Sequence, residues 1–280
     1  MSIEKLLGCD RPSFVNDYFL KLPFSLPGGC ERLRHLADWQ TVGRFVANPE
    51  ADLLIARQGE RWDGERPHEL GAAQRLHADG WTLVFRHAEK YDPALAELAE
   101  GFSADFAGAI DVHLYCTPGT SFGFGWHYDA EDVFILQTQG SKEYSLRKNT
   151  VHPWPTLETL PSDMRYEREI MPLSRCLLRA GDWLYIPAGY WHKAVAQEES
   201  ISLALGVLSP TCLDVLDFLK QRLPESIQWR QRLPPSKATG DPQTKEELES
   251  TYQALFAELG RDLQKIRANP ETARQFLNRP

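Results

Sequence analysis

The chain has 280 residues, 42% apolar, 25% charged and 11% aromatic, an ordinary globular composition that excludes collagen-like, low-complexity and disordered classes. Its 31 basic residues face 39 acidic ones, a net charge of −8, which argues against the clustered cations that phosphate-backbone binding needs. Five scattered cysteines without a CxxC pair speak against a disulfide framework or zinc knuckle and for a reducing compartment. The N-terminus lacks a basic region followed by a long apolar run, and no stretch has the roughly 20 apolar residues that span a bilayer. The expectation is a soluble, cytoplasmic protein that contacts neither nucleic acid nor membrane.

In chain order, LRHLADWQTVGRFV (33–46) and DPALAELAEGFSADF (92–106) carry apolar residues at three- and four-residue steps and predict amphipathic helices. Between them WTLVFRHA (81–88), after an Asp-Gly turn, reads as a buried strand. From about 110 to 208 the pattern changes to strands: DVHLYCTP, DVFILQTQG, EYSLRK, RCLLRAGDWLYIP and SISLALGVL, each bounded by turn residues. Short strands with little helix between them predict a sandwich or barrel. Residues 211–223 read as a helix and LPPSKATGDPQ (233–243) as a linker. A last helix starts with Thr244 and Glu247 in capping-box spacing, and Leu248, Tyr252, Leu255, Leu259, Leu263 and Ile266 line one face. That stripe packs on the chain's own barrel or forms a homodimer through the C-terminal helices. The expected organisation is an N-terminal α/β region (1–105), a barrel core (106–210) and a C-terminal helical region (211–280).

His127 and Asp129 are two apart, so on extended backbone their side chains reach one point. His192 follows 63 residues after Asp129, behind a Gly-Asp turn, a strand and a Pro-Ala-Gly turn. Two imidazoles and one carboxylate form the facial triad that holds Fe(II) while leaving positions open. HxD alone is a short pattern; its β-rich setting and the downstream histidine give it weight. The other histidines (His35, His68, His77, His87, His113 and His152) show no metal spacing with one another and read as structural or solvent-exposed.

The stretches YCTPGTSFGFGWHYDAEDVFILQTQGSKEYSL and LRAGDWLYIPAGYWHKAV resemble the JmjC oxygenases, and within them the ribosomal-oxygenase-type branch of Fe(II)- and 2-oxoglutarate-dependent hydroxylases. WTLVFRHAEKYDPALAELAEGF is similar to the lead-in strand and helix of that branch, so the resemblance runs from roughly 78 to 210. It implies a mainly β fold with flanking helices, a double-stranded β-helix (jelly roll, cupin/JmjC type), with iron at its open end on His127, Asp129 and His192. It also implies that Lys142 pairs with the far carboxylate of 2-oxoglutarate, and a dianion entering a partly dry barrel does need a fixed cation. Tyr115, Thr117, Ser202 and Gln137 are further candidate co-substrate contacts or else ordinary barrel polar residues; Trp126 and Trp191, next to the ligands, are expected to wall the pocket or the substrate mouth, with core packing as the alternative. The implied chemistry uses Fe(II), 2-oxoglutarate and molecular oxygen to hydroxylate a side chain in a protein or peptide, with oxidative decarboxylation to succinate. The alternatives are a free amino acid or small natural product as substrate, in keeping with a chain showing no stretch like the winged-helix module of larger ribosomal oxygenases, and N-methyl demethylation. The rival from another class is a non-enzymatic cupin binding module, which has no need of both the triad and Lys142.

Overall fold

Eleven strands form two antiparallel sheets among residues 4, 8–162, 164, 166, 169–233 and 242–278, which the computed structural model describes. They are β1 (Phe24–Leu26), β2 (Asp52–Arg57), β3 (Glu60–Arg61), β4 (Thr82–Arg86), β5 (Ala109–Thr117), β6 (Asp132–Gln139), β7 (Ser141–Arg147), β8 (Ser174–Arg179), β9 (Trp183–Ile186), β10 (Trp191–Ala196) and β11 (Ser200–Leu208). The larger sheet runs β1-β9-β6-β11-β5-β4-β2-β3 and the smaller β10-β7-β8. Together they make the double-stranded β-helix.

Alternation along the central strands separates two environments. Val112, Leu114 and Cys116 of β5, Phe134 and Leu136 of β6, Trp183 and Tyr185 of β9, and Leu203 and Leu205 of β11 face one apolar core. That core also takes in Phe14, Val42, Phe45, Ala73, Leu95, Leu98 and Phe102 from helices α1 (Arg11–Asp17), α2 (Trp39–Ala47), α3 (Leu70–Ala78) and α4 (Pro93–Ser103). Residues of opposite parity point into the barrel, where Val133, Ile135, Tyr144, Leu184 and Ala204 form a smaller cluster. The main core therefore lies outside the barrel, and the interior is free for polar groups.

Helix starts follow capping chemistry. Asp92 accepts hydrogen bonds from the Ala94 and Leu95 amides ahead of α4, with Pro93 at its first turn. The helix expected over 33–46 is divided: a 3₁₀ turn spans Glu31–Leu36, Ala37 is extended, and Asp38 caps α2 by accepting from the Thr41 amide at 2.8 Å. The Asp38 carboxylate competes with the continuing ladder and starts a new helix.

Residues from Pro210 onward form a second compact unit. Thr211 and Asp214 cap α5 (Cys212–Arg222) reciprocally. Helix α6 (Pro242–Ala268) already begins at Pro242, so Thr244 sits inside it and not at its cap; residues 234–241 of the expected linker lie outside the described residues. The α6 stripe from Leu248 to Ile266 is half-buried, as its periodicity expects, whereas Phe256 is exposed. Trp229 donates to Asp262 at 2.7 Å, and Phe218 packs edge-on against Phe276 of α7 (Pro270–Leu277).

The β6–β7 turn depends on Gly140, whose φ is +65° and whose added Cβ would collide with the Glu199 carbonyl oxygen. Gly140→Ala is expected to lower stability by at least about 2 kcal/mol, read as a lower urea midpoint at unchanged m-value.

Candidate active site

One cavity of about 270 Å³ opens into the barrel. His127 and Asp129 stand in the irregular segment between β5 and β6, and His192 is the second residue of β10. An isolated antiparallel bridge joins them: the His192 amide donates to the His127 carbonyl at 2.8 Å and the His127 amide to the His192 carbonyl at 3.1 Å. Backbone pairing thus brings the two imidazoles together, with ring centroids 4.2 Å apart and planes tilted by 57°. Asp129 is tied to the same turn, its carbonyl accepting from the Gly189 amide at 2.8 Å. Its Oδ2 lies 3.4 Å from His192 Nε2, and one donor atom from each residue falls within 4.8 Å of the others.

Tautomers follow from the same backbone. His127 Nδ1 lies 2.8 Å from the Gly125 carbonyl and His192 Nδ1 3.0 Å from the Tyr190 carbonyl. Each Nδ1–H donates there, leaving each Nε2 as a free lone pair, the arrangement of metal-ligating histidines. Burial, with a smaller push from neighbouring His127, lowers His192 to about 4, so it is neutral at physiological pH.

At the far end Lys142 is fully buried, its Nζ 3.2 Å from Thr117 Oγ1, 3.3 Å from Ser202 Oγ and 5.6 Å from the centre of the Tyr115 ring. It has only hydroxyl partners among the described residues, and burial drops it to about 8. Tyr115 and Thr117 line the cavity; Ser202 reaches Lys142 without lining it. Gln137 departs from expectation. The register shifts at Ile201/Ser202, and its Nε2 is captured by Ser200 Oγ at 2.7 Å and the Gln139 carbonyl at 2.7 Å, so it fastens β6 to β11 outside the cavity. Trp126 and Trp191 also do not wall the cavity: Trp126 stacks on Tyr166 at 4.0 Å and Trp191 packs edge-on against Tyr128.

The cavity adds residues the sequence reading passed over. Tyr144, two past Lys142 on β7, lines it and bonds to Ser202. Glu131, two past Asp129, also lines it and is pushed up to about 7, chiefly by burial and then by the Asp129 charge. Arg86 is the other cation there and pairs with Asp52 at 2.9 Å. His87 and His113, read as structural, come together with Asp111 in a second group of potential metal donors. Two-residue alternation along β4, β5 and β7 carried the signal for most of these.

Two antiparallel sheets closed into a jelly roll, with two imidazoles and a carboxylate at one end, define a barrel of the cupin class. Residues 87–215 match the JmjC domain family. It is 30% identical over 170 residues to a Dictyostelium discoideum protein named bifunctional lysine-specific demethylase and histidyl-hydroxylase NO66, covering 56% of this chain and 32% of that one. With Homo sapiens ribosomal oxygenase 1 it shares 29% over 160 residues, covering 56% and 24%. The chain thus spans about a third or less of the length of these relatives. Among solved structures, Escherichia coli YcfD, a ribosomal oxygenase in complex with cobalt and 2-oxoglutarate, matches in fold with a TM-score of 0.59 at 19% identity, covering 97% of this chain and 70% of that one. No helix among the described residues is long and apolar enough to cross a membrane.

A buried ammonium without a carboxylate costs the ligand-free protein stability. Because its folded pKa of about 8 lies below the unfolded 10.5, the penalty is full below pH 8 and vanishes as pH rises to 10.5. Lys142→Met is therefore expected to stabilise the ligand-free protein at pH 7 by up to about 3 kcal/mol and to flatten the rise in melting temperature between pH 8 and 10.5; thermal melts across that range check it.

Proposed function

We propose that the chain is an Fe(II)- and 2-oxoglutarate-dependent oxygenase that hydroxylates an amino-acid side chain in a protein or peptide. The observation that carries this reading is one cavity holding a two-imidazole, one-carboxylate donor set and, further in, a buried lysine that lacks an anionic partner among the described residues. The donor set fits ferrous iron: both Nε2 atoms are free, His192 is neutral, and three protein ligands leave positions open. Lys142 fits the distal carboxylate of the co-substrate, with Thr117 and Tyr115 beside it. The curated relatives are named as hydroxylases and oxygenases, and the E. coli neighbour holds 2-oxoglutarate with cobalt.

In this reading His127, Asp129 and His192 hold the metal, and Lys142 anchors the carboxylate with Thr117. When bound, iron, 2-oxoglutarate and oxygen supply the oxidation: the keto acid is decarboxylated to succinate and one oxygen atom enters a substrate C–H bond. The protein's own residues do the positioning. Val133, Ile135 and Ala204 line the cavity with apolar surface, and low polarity around the pair strengthens the Lys142–carboxylate attraction. Glu131 and Arg86 give the cavity wall polar groups that a substrate side chain can meet.

Asp129→Ala is expected to lose bound iron and succinate formation together, measured by metal analysis and coupled turnover; near wild-type values for both would overturn the assignment. Lys142→Ala is expected to keep iron while raising the 2-oxoglutarate requirement about thirtyfold or more, the loss of a buried charge-assisted partner; in the wild type, affinity for 2-oxoglutarate should fall as pH rises through about 8. Mass spectrometry of host peptides separates a gain of one oxygen from N-demethylation, which releases formaldehyde. The half-buried stripe of α6, with Phe256 exposed beside it, supports a homodimer through the C-terminal helices; truncation at residue 240 should shift sedimentation toward monomer.

A further inference from the structure

A second group of donors stands on the strand that carries Thr117 and Tyr115. Along β5 the inward parity runs Thr117, Tyr115, His113, Asp111, so His113 also lines the cavity and Asp111 comes one step further along the strand. Asp111 pairs across the sheet with Gly206, where an added Cβ would collide with the Glu131 carboxylate. His87 follows the end of β4 with a φ of +51°. Its Nδ1 lies 3.0 Å from Asp111 Oδ1, and its ring centroid is 5.7 Å from that of His113. One donor atom from each of His87, Asp111 and His113 lies within 4.8 Å of the others.

A simple His87–Asp111 hydrogen bond accounts for two of these groups and leaves the third unexplained. Among the described residues His113 Nε2 is buried without a hydrogen-bond partner, and an unmade buried bond costs about 1–3 kcal/mol. Two ligand atoms about 2.1 Å from one ion, at tetrahedral to octahedral angles, stand roughly 3.0–3.4 Å apart. The observed 3.0 Å between His87 Nδ1 and Asp111 Oδ1 suits two ligands of one ion as well as it suits a hydrogen bond.

We propose that His87, Asp111 and His113 form a second site for a divalent transition-metal ion. Two imidazoles and one carboxylate are borderline donors, and three protein ligands leave a fourth tetrahedral position for water or a substrate group. The site shares no residue with His127, Asp129 and His192, so it stands whether or not that triad binds iron. An ion there sets a fixed positive charge on the cavity wall, on the same strand as the residues beside Lys142.

The test is metal stoichiometry of the full chain stripped with chelator and titrated with Zn²⁺ and, separately, Co²⁺, followed by calorimetry and by the visible absorption of bound cobalt. Wild type is expected to bind two equivalents, His87→Asn and His113→Ala one each, and Asp129→Ala one. His87 is part-exposed and asparagine tolerates positive φ, so His87→Asn decides the matter if His113→Ala fails to fold by circular dichroism. Equal stoichiometry in wild type and His87→Asn overturns the second site. A single wild-type equivalent lost in Asp129→Ala but kept in His87→Asn does so while leaving the triad standing. A single equivalent lost in His87→Asn and kept in Asp129→Ala supports the second site and removes the metal from the triad.

Discussion

The structure depends on two-residue alternation in strands packed on both faces. The outward parity of β5, β6, β9 and β11 meets the N-terminal helices in a cluster of rings, with Phe14, Phe102, Phe134 and Tyr185 at centroid separations of 5.0–5.7 Å. Each large apolar side chain buried there stabilises the fold by about 1.5–3 kcal/mol. That surplus lets the inward parity carry groups whose burial is unfavourable, Lys142 and His113 among them. Had the main core filled the barrel, there would be no cavity.

Backbone contacts set the position of the donors. The reciprocal His127–His192 bonds, the Gly189 amide on the Asp129 carbonyl and the Nδ1 contacts with Gly125 and Tyr190 all use main-chain groups. Asp132 holds the adjoining turn. Its Oδ1 accepts from Tyr185 at 2.5 Å and from the Ala188 amide at 3.2 Å, and its Oδ2 accepts from Ser209 at 3.2 Å. One buried carboxylate therefore links β6, β9, the turn before His192 and the end of β11.

The β-rich middle and the pairing of His127 with Asp129 were legible because i, i+2 spacing on extended chain is a strict geometric rule; His192 was legible from its place behind a turn and a strand, and Lys142 only through the family resemblance. The same rule applies to Asp111 and His113, but their third partner, His87, arrives from the end of another strand, a juxtaposition that spacing along one segment does not reveal. Gln137 shows the rule failing where a bulge breaks it: the shift at Ile201/Ser202 moved a nominally inward amide into hydrogen bonds between strands. The break at Ala37–Asp38 was hidden because the apolar periodicity continues across it, while the deciding event is one capping bond. β1 and β2 owe their place to pairing with β9 and β4, partners far along the chain.

The pairing of β5 with β11 sets Ala109 opposite Leu208, about 100 residues away in sequence. Contacts of such separation form late, because loop-closure entropy is lost before any burial compensates it. His127 and His192, about 65 residues apart, pair inside the stretch of chain that this contact closes. An ion could not nucleate this barrel as it nucleates a zinc finger, whose ligands sit close together in sequence. The donor atoms meet at one point through strand pairing between distant segments, which involves no ion.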